Sequence, residues 1–251
     1  MDQKLLDETR LQLVQPLTKP LRTAIATALI VASAAGGVAA AAARPVVVEL
    51  FTSQACSDCP PAEALVQKLQ AAHPRILVLA MHVTYFNGPG WSDPFSFPAA
   101  TARQNWYARV MHSDQVFTPQ AVIDGHASAV GSDRGQILQD IGAARSAAAR
   151  PTVQVTITAG KDGWQIALSG KPSATPAKIE LFRFDTVDRT AVRGGENGGR
   201  KLTEIHVVRA MTSLGEWTGQ TVKQQIAPGV GQHIAVLVQR NDGTIIGAAG
   251  T

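Results

Sequence analysis

Two cysteines, Cys56 and Cys59, are the only ones in the 251-residue chain. Their place in the hydrophobic pattern constrains the fold more than any other feature. They stand three residues apart, between an apolar run and a helical one. Residues 44–51 carry Val46, Val47, Val48 and Leu50 behind Pro45, a continuous run that reads as a buried strand. A short turn over 52–55 leads into the cysteines. Over 57–72, Ala62, Leu65, Val66, Leu69 and Ala72 recur at helical spacing, with Glu63 and Lys68 expected to point outward. A second strand is expected at 76–83, and a loop rich in Gly, Pro and aromatics at 85–98. A helix fits 99–111. The dipeptide Asp124-Gly125 between apolar residues is a strong hairpin signal, pairing 121–123 with 126–130. Ser132 or Asp133 then caps a last helix running to about residue 149.

This strand–helix–strand–helix–strand–strand–helix order is thioredoxin topology, its first two strands parallel through a right-handed crossover. After Arg150-Pro151 the texture changes. Val153, Val155 and Ile157 alternate, as do Trp164, Ile166 and Leu168. Apolar clusters recur around Ile179, Ile205 and Ile234, with turn signals at Asp162-Gly163 and Asp242-Gly243. The expected architecture is therefore an α/β thioredoxin-like domain over 44–150, followed by a mostly antiparallel β region over 151–251. That region is either a domain packed on the first or an extension of it.

Residues 1–43 read as an export signal. Lys19 and Arg22 precede an apolar run over 24–32, and the alanines of 39–43 offer several small-residue cleavage sites. Cleavage is expected, because a stable span needs about 20 strongly apolar residues; the alternative is an uncleaved anchor. The expected location is periplasmic or secreted. The net charge of +4 comes with no Lys/Arg cluster, so nucleic-acid binding is not expected.

Export explains how two cysteines could bond, but their spacing makes a poor staple. Disulfide stabilisation grows with the loop closed, and this loop is very short. A reactive pair is the better reading. The first cysteine of such a motif sits at a helix N-terminus, where free N–H groups and the helix dipole favour a thiolate. Cys56 is assigned attack, and Cys59 resolution of the mixed disulfide. Asp58 between them is expected to oppose thiolate formation and to make the couple more reducing. Zinc is not expected, since a structural site takes four ligands and no second cysteine pair exists. Two thiols with His82 or His126 could hold copper, which ranks below redox chemistry. Thr118-Pro119 stands where this topology requires a cis-proline loop, Thr118 offering its backbone to a substrate peptide.

A wider set of residues carries a family resemblance. The segment Val48-Glu49-Leu50-Phe51-Thr52-Ser53-Gln54-Ala55-Cys56-Ser57-Asp58-Cys59-Pro60-Pro61-Ala62-Glu63 resembles the bacterial secreted, thioredoxin-like family known as domain of unknown function 1223. So do His82-Val83-x-Tyr85, Trp91-x-Asp93-Pro94-Phe95, Tyr107-Ala108, Thr118-Pro119-Gln120, Gly131-Ser132-Asp133 and Arg193-Gly194-x-Glu196-Asn197-x-Gly199-Arg200. The resemblance implies a thioredoxin-like fold and export, and no settled substrate. The chain departs from it at Ala55, usually Gly, at Asp58, usually Ser, and at Thr84-Tyr85-Phe86, usually resembling Asp-Tyr-Trp.

Other residues have two readings each. His82 could tune a thiolate or be structural. Trp91, Asp93 and Phe95 could line a peptide groove or pack a lid. Arg103, Gln104 and Tyr107 read as a helix face, and His206 as structural. The loop 193–200 lacks the Lys-Ser/Thr ending of a phosphate loop; it is either a local turn or a strap reaching back over the cysteines. The expected function is thiol–disulfide exchange on exported proteins, with an unidentified redox partner. No cofactor beyond the redox-active Cys56–Cys59 pair and no metal is implied. The rivals are a thioredoxin-fold binding module with a permanent disulfide, and a copper-handling thiol protein.

Overall fold

A computed structural model describes residues 43–251. The export signal expected at 1–43 lies outside the described residues except for Ala43. Strand β1 (Val46–Thr52), helix α1 (Cys59–Ala72), β2 (Ile76–His82), α2 (Pro98–Val110), β3 (Gln120–Ile123), β4 (Ala127–Val130) and α3 (Arg134–Ala148) follow in the expected order. Then come β5 (Val153–Gly160), β6 (Gly163–Gly170), β7 (Ala177–Ala191), β8 (Lys201–Trp217), β9 (Val222–Ile226), β10 (His233–Arg240) and β11 (Ile245–Gly250). This is a mixed α/β fold. Eight strands form one sheet in the order β11-β10-β7-β8-β2-β1-β3-β4, and β5-β6-β9 form a second. The β1–β2 ladder and a single β2–β8 bridge, Ala80 opposite Val207, are parallel. All other pairings of the large sheet are antiparallel.

Both β1 and β2 are buried at every position, which is why they read as unbroken apolar runs rather than alternations. Successive side chains point to opposite faces. Val47, Phe51, Leu79 and Met81 join Ala100 and Tyr107 of α2 on one face. Val46, Val48, Leu50 and Val78 meet Ala62 and Leu65 of α1 and Ile137 and Ile141 of α3 on the other. Beyond the helices, Val153, Val155, Ile166 and Leu168 of the small sheet pack on Ile179, Leu181, Val236 and Val238. The C-terminal region thus does two things: β7, β8, β10 and β11 extend the large sheet, and β5, β6 and β9 lay a second sheet upon it.

Local signals explain several boundaries. Helix α1 starts at Cys59, two residues later than expected, with prolines in its first turn, where their missing N–H groups cost nothing. Glu63 is buried, not outward, and Ala72 is exposed. The physical reason is the helix phase: Cys59, Ala62, Glu63 and Val66 lie at i, i+3, i+4 and i+7, one inward face. Asp133 is the cap of α3, accepting from the Gln136 N–H at 3.0 Å. Asp124 and Gly125 both have positive φ, 52° and 77°, as a two-residue hairpin turn of this hand requires.

Buried polar ties bind distant segments. Arg44 pairs with Asp124 at 2.6 Å and donates to the Ile245 carbonyl at 2.7 Å. Arg103 pairs with Glu49 and donates to Gln239 Oε1 at 2.8 Å, while Tyr107 donates to Glu49 at 2.5 Å. The polar face read on α2 is therefore an inward one. Among the described residues no helix is long and apolar enough to cross a membrane.

Candidate functional site

Strand β1 delivers the turn 53–58 and the cysteines to the C-terminal end of the β1–β2 pair. Both cysteines are free thiols, Cys56 being 4% exposed and Cys59 fully buried. The two differ sharply. Cys56 is pulled down to about 6, first by the hydrogen bond from the Cys59 thiol, with Thr118 and the Asp58 and Cys59 backbone N–H groups adding, against burial. Cys59 is pushed far up, first by holding its proton toward Cys56 and then by burial. Asp58 meets Cys56 through its backbone. Its side chain is exposed and makes no cap bond, while its backbone amide favours the Cys56 thiolate. A carboxylate in solvent is screened; an amide aimed at sulfur is not.

The Thr118-Pro119 bond is cis, and Thr118 Oγ1 is buried beside the Cys56 thiol. Gln104 holds this segment from α2, donating to the Phe117 carbonyl at 2.8 Å and to Gln120 Oε1 at 2.9 Å. The Tyr85 hydroxyl donates to Gln104 at 3.1 Å. Tyr85 and Phe117 are large hydrophobic residues left exposed.

Behind the cysteines lies a buried acidic cluster. Thr52 donates to Glu63 Oε1 at 2.6 Å, and its hydroxyl also faces Cys59. His82, with no exposed surface, closes β2. Its Nδ1 lies 2.7 Å from Asp93 Oδ2, and its Nε2 lies 3.8 Å from Glu204 Oε1. Burial lowers the basicity of His82, but the hydrogen bond and charge of Asp93 outweigh it and hold the ring protonated to about 9. Burial raises Glu63 and Glu204. Of the loop residues, Asp93 accepts from the Gln54 N–H at 2.8 Å. Phe95 stands edge-on to His82, ring centroids 5.4 Å apart. His126 is exposed in the β3–β4 turn, beyond the end of β3 remote from the cysteines.

The loop 193–200 is a strap over the cysteine turn. Glu196 accepts from the Ser57 N–H at 2.8 Å. Asn197, fully buried, donates to the Gln54 and Cys56 carbonyls at 3.0 and 2.7 Å. Gly194 passes so close to Gly90 that a Cβ there would sit 1.8 Å from its carbonyl oxygen. Arg200 donates to Asn197 Oδ1 at 2.8 Å, bracing the strap. Glu204, on β8 just beyond the strap, takes the Gln54 side chain at 2.8 Å. Sequence reasoning singled out Cys56, Cys59, Thr118, Pro119, Asp58 and His82. It missed Thr52, Gln54, Glu63 and Glu204; for Glu63 the i+4 spacing from Cys59 was the available signal.

The model of the family described as "Protein of unknown function (DUF1223)" matches residues 47–239. No curated protein matches the chain. Among solved structures, the chain is similar to protein AGR_C_4864 from Agrobacterium tumefaciens, with 28% identity, 83% of this chain and 94% of that one covered, and a TM-score of 0.72. It is similar in fold to HBP35 of Porphyromonas gingivalis, with 14% identity, 84% and 75% covered, and a TM-score of 0.56.

Proposed function

The chain belongs to the DUF1223 family of proteins of unknown function, and from that premise we propose that it is an exported thiol–disulfide oxidoreductase with a thioredoxin-like core. The strand order β2-β1-β3-β4, with α1 and α3 on one face and α2 on the other, supports the thioredoxin reading. The basic residues and apolar run before residue 43 support export to the periplasm or beyond.

The asymmetry of the two thiols carries the functional reading. An acidic Cys56 attacks one sulfur of a substrate disulfide, forming a mixed disulfide and releasing the other sulfur as thiolate. Cys59 then attacks Cys56 Sγ, and its proton passes to the departing substrate sulfur. The substrate leaves as a dithiol, and Cys56–Cys59 is left oxidised; the reverse sequence oxidises a dithiol. In this reading the Thr118 backbone docks an extended peptide, and the exposed rings of Tyr85 and Phe117 offer it an apolar surface.

One observation favours a second reading. Cys56 is only 4% exposed, which suits a binding module whose disulfide is structural. The copper reading loses support, since His126 stands away from the thiols and His82 faces carboxylates. Equilibration of the full chain with glutathione redox buffers, followed by thiol trapping, separates the first two. A potential between about −120 and −270 mV supports exchange, and a bond resisting reduction below about −300 mV supports the binding module.

A further inference from the structure

We propose that Glu63, His82 and Glu204 form a binding site for one divalent first-row transition-metal ion. One ligand atom from each lies within 4.8 Å of the others, and all three residues are buried. Acidic residues alone would not argue for an ion; the orphaned atoms do. His82 Nε2 and Glu204 Oε1 are buried without any hydrogen-bond partner among the described residues. Buried polar atoms are almost always paired. These two face each other at 3.8 Å, too far for a hydrogen bond. Ligands roughly 2.0–2.1 Å from a zinc ion at tetrahedral angles stand about 3.4 Å apart, so this pair is roughly half an ångström wider than a bound pair.

The surroundings are those of a metal ligand set. A ligating histidine usually gives its other ring N–H to a carboxylate; the His82 ring, held protonated by Asp93 without an ion, releases its Nε2 proton as the ion binds. Here Asp93 Oδ2 takes Nδ1 at 2.7 Å, and Asp93 is itself held by the Gln54 N–H. The carboxylates are oriented likewise. Thr52 holds Glu63 Oε1 and Gln54 holds Glu204 Oε2, so each residue bonded on one side can turn an oxygen to a shared ion. Three carboxylates surround one imidazole, and a divalent cation balances them better than that ring alone. The three ligand atoms lie within 4.8 Å of one another, so each pair closes by at most roughly 1.4 Å to reach that tetrahedral spacing. The donor set, one nitrogen and two oxygens, suits Zn²⁺, Mn²⁺ or Fe²⁺ and includes neither cysteine. The site is therefore independent of whether the thiols exchange disulfides.

The test uses the full chain carrying Cys56→Ser and Cys59→Ser, which removes thiolate ligation. The protein is dialysed to equilibrium against Zn²⁺ or Mn²⁺, and bound metal is counted by atomic emission. We expect about one ion per chain for at least one of the two metals. In the same background, Glu204→Gln keeps an acceptor for Gln54, and Asp93→Asn removes the carboxylate behind His82 together with one of the acceptors offered to the Gln54 and Phe95 N–H groups. Each is expected to weaken binding by about 10–100-fold, with circular dichroism confirming the fold. If either variant unfolds, Co²⁺ added to the parent protein decides: visible d–d bands from nitrogen and oxygen ligation are expected. Absence of bound metal and of cobalt bands in the parent overturns the proposal. Undiminished binding in folded Glu204→Gln overturns it equally.

Discussion

Cys56 draws its acidity from hydrogen bonds rather than from a nearby cation, and this makes two expectations specific. Reduced protein should react with iodoacetamide at Cys56 with a pH midpoint near 6, because the thiolate is the nucleophile. Cys59 should stay unmodified in the same peptide map. A midpoint at the ordinary thiol value of about 8.5 would contradict the geometry. Asp58→Ser should move the potential by less than about 30 mV, a tenfold change in equilibrium constant, since the carboxylate faces solvent. A larger rise would restore the role expected from its place between the cysteines. At this scale the sequence was informative where spacing sets geometry, as in the helix start at Cys56-x-x-Cys59 and the cis bond of Thr118-Pro119. It was silent on Glu204, which reaches Gln54 across 150 positions. It misled at Glu63, because a carboxylate in an amphipathic helix ordinarily faces water.

The elements of the first half were legible because each carries its own signal: continuous apolar runs for β1 and β2, helical spacing for α1, Asp-Gly for the β3–β4 turn. Two later strands were not. β9 reads Val-Lys-Gln-Gln-Ile and β11 Ile-Ile-Gly-Ala-Ala-Gly, one mostly polar and one mostly small, and pairing rather than propensity makes them strands. The strap between β7 and β8 was left open by the sequence and depends on two close contacts. Asn197→Ala strips partners from two carbonyls and should cost about 1–3 kcal/mol in urea unfolding. Gly194→Ala should instead displace the strap, because its Cβ would meet backbone. Faster alkylation of Cys56 in that variant, with the fold retained, is the expected sign. An unchanged rate would mean that the strap does not shield the thiol.

At the scale of the molecule, a boundary near residue 150 marks a change in composition but not an end to the sheet. Phe182, Phe184 and Leu237 share a core with Phe51 and Tyr107, and Arg44 and Arg103 find partners at Ile245 and Gln239. A fragment ending at residue 150 would leave these charges without part of their shell and the α2-side core without one wall. It should therefore lack cooperative unfolding and disperse poorly in a proton NMR spectrum; a cooperative transition would show the first half to be self-sufficient. No local pattern announces this union, since strand neighbours far apart in sequence are chosen by packing. The strap adds a matter of timing. Ser57 and Glu196 are 139 residues apart, so on a growing chain the cysteines precede their cover by roughly 7–28 s at ordinary synthesis rates. For that interval the thiols have no strap, and any encounter with oxidant or foreign thiol is decided before the finished protein can govern it.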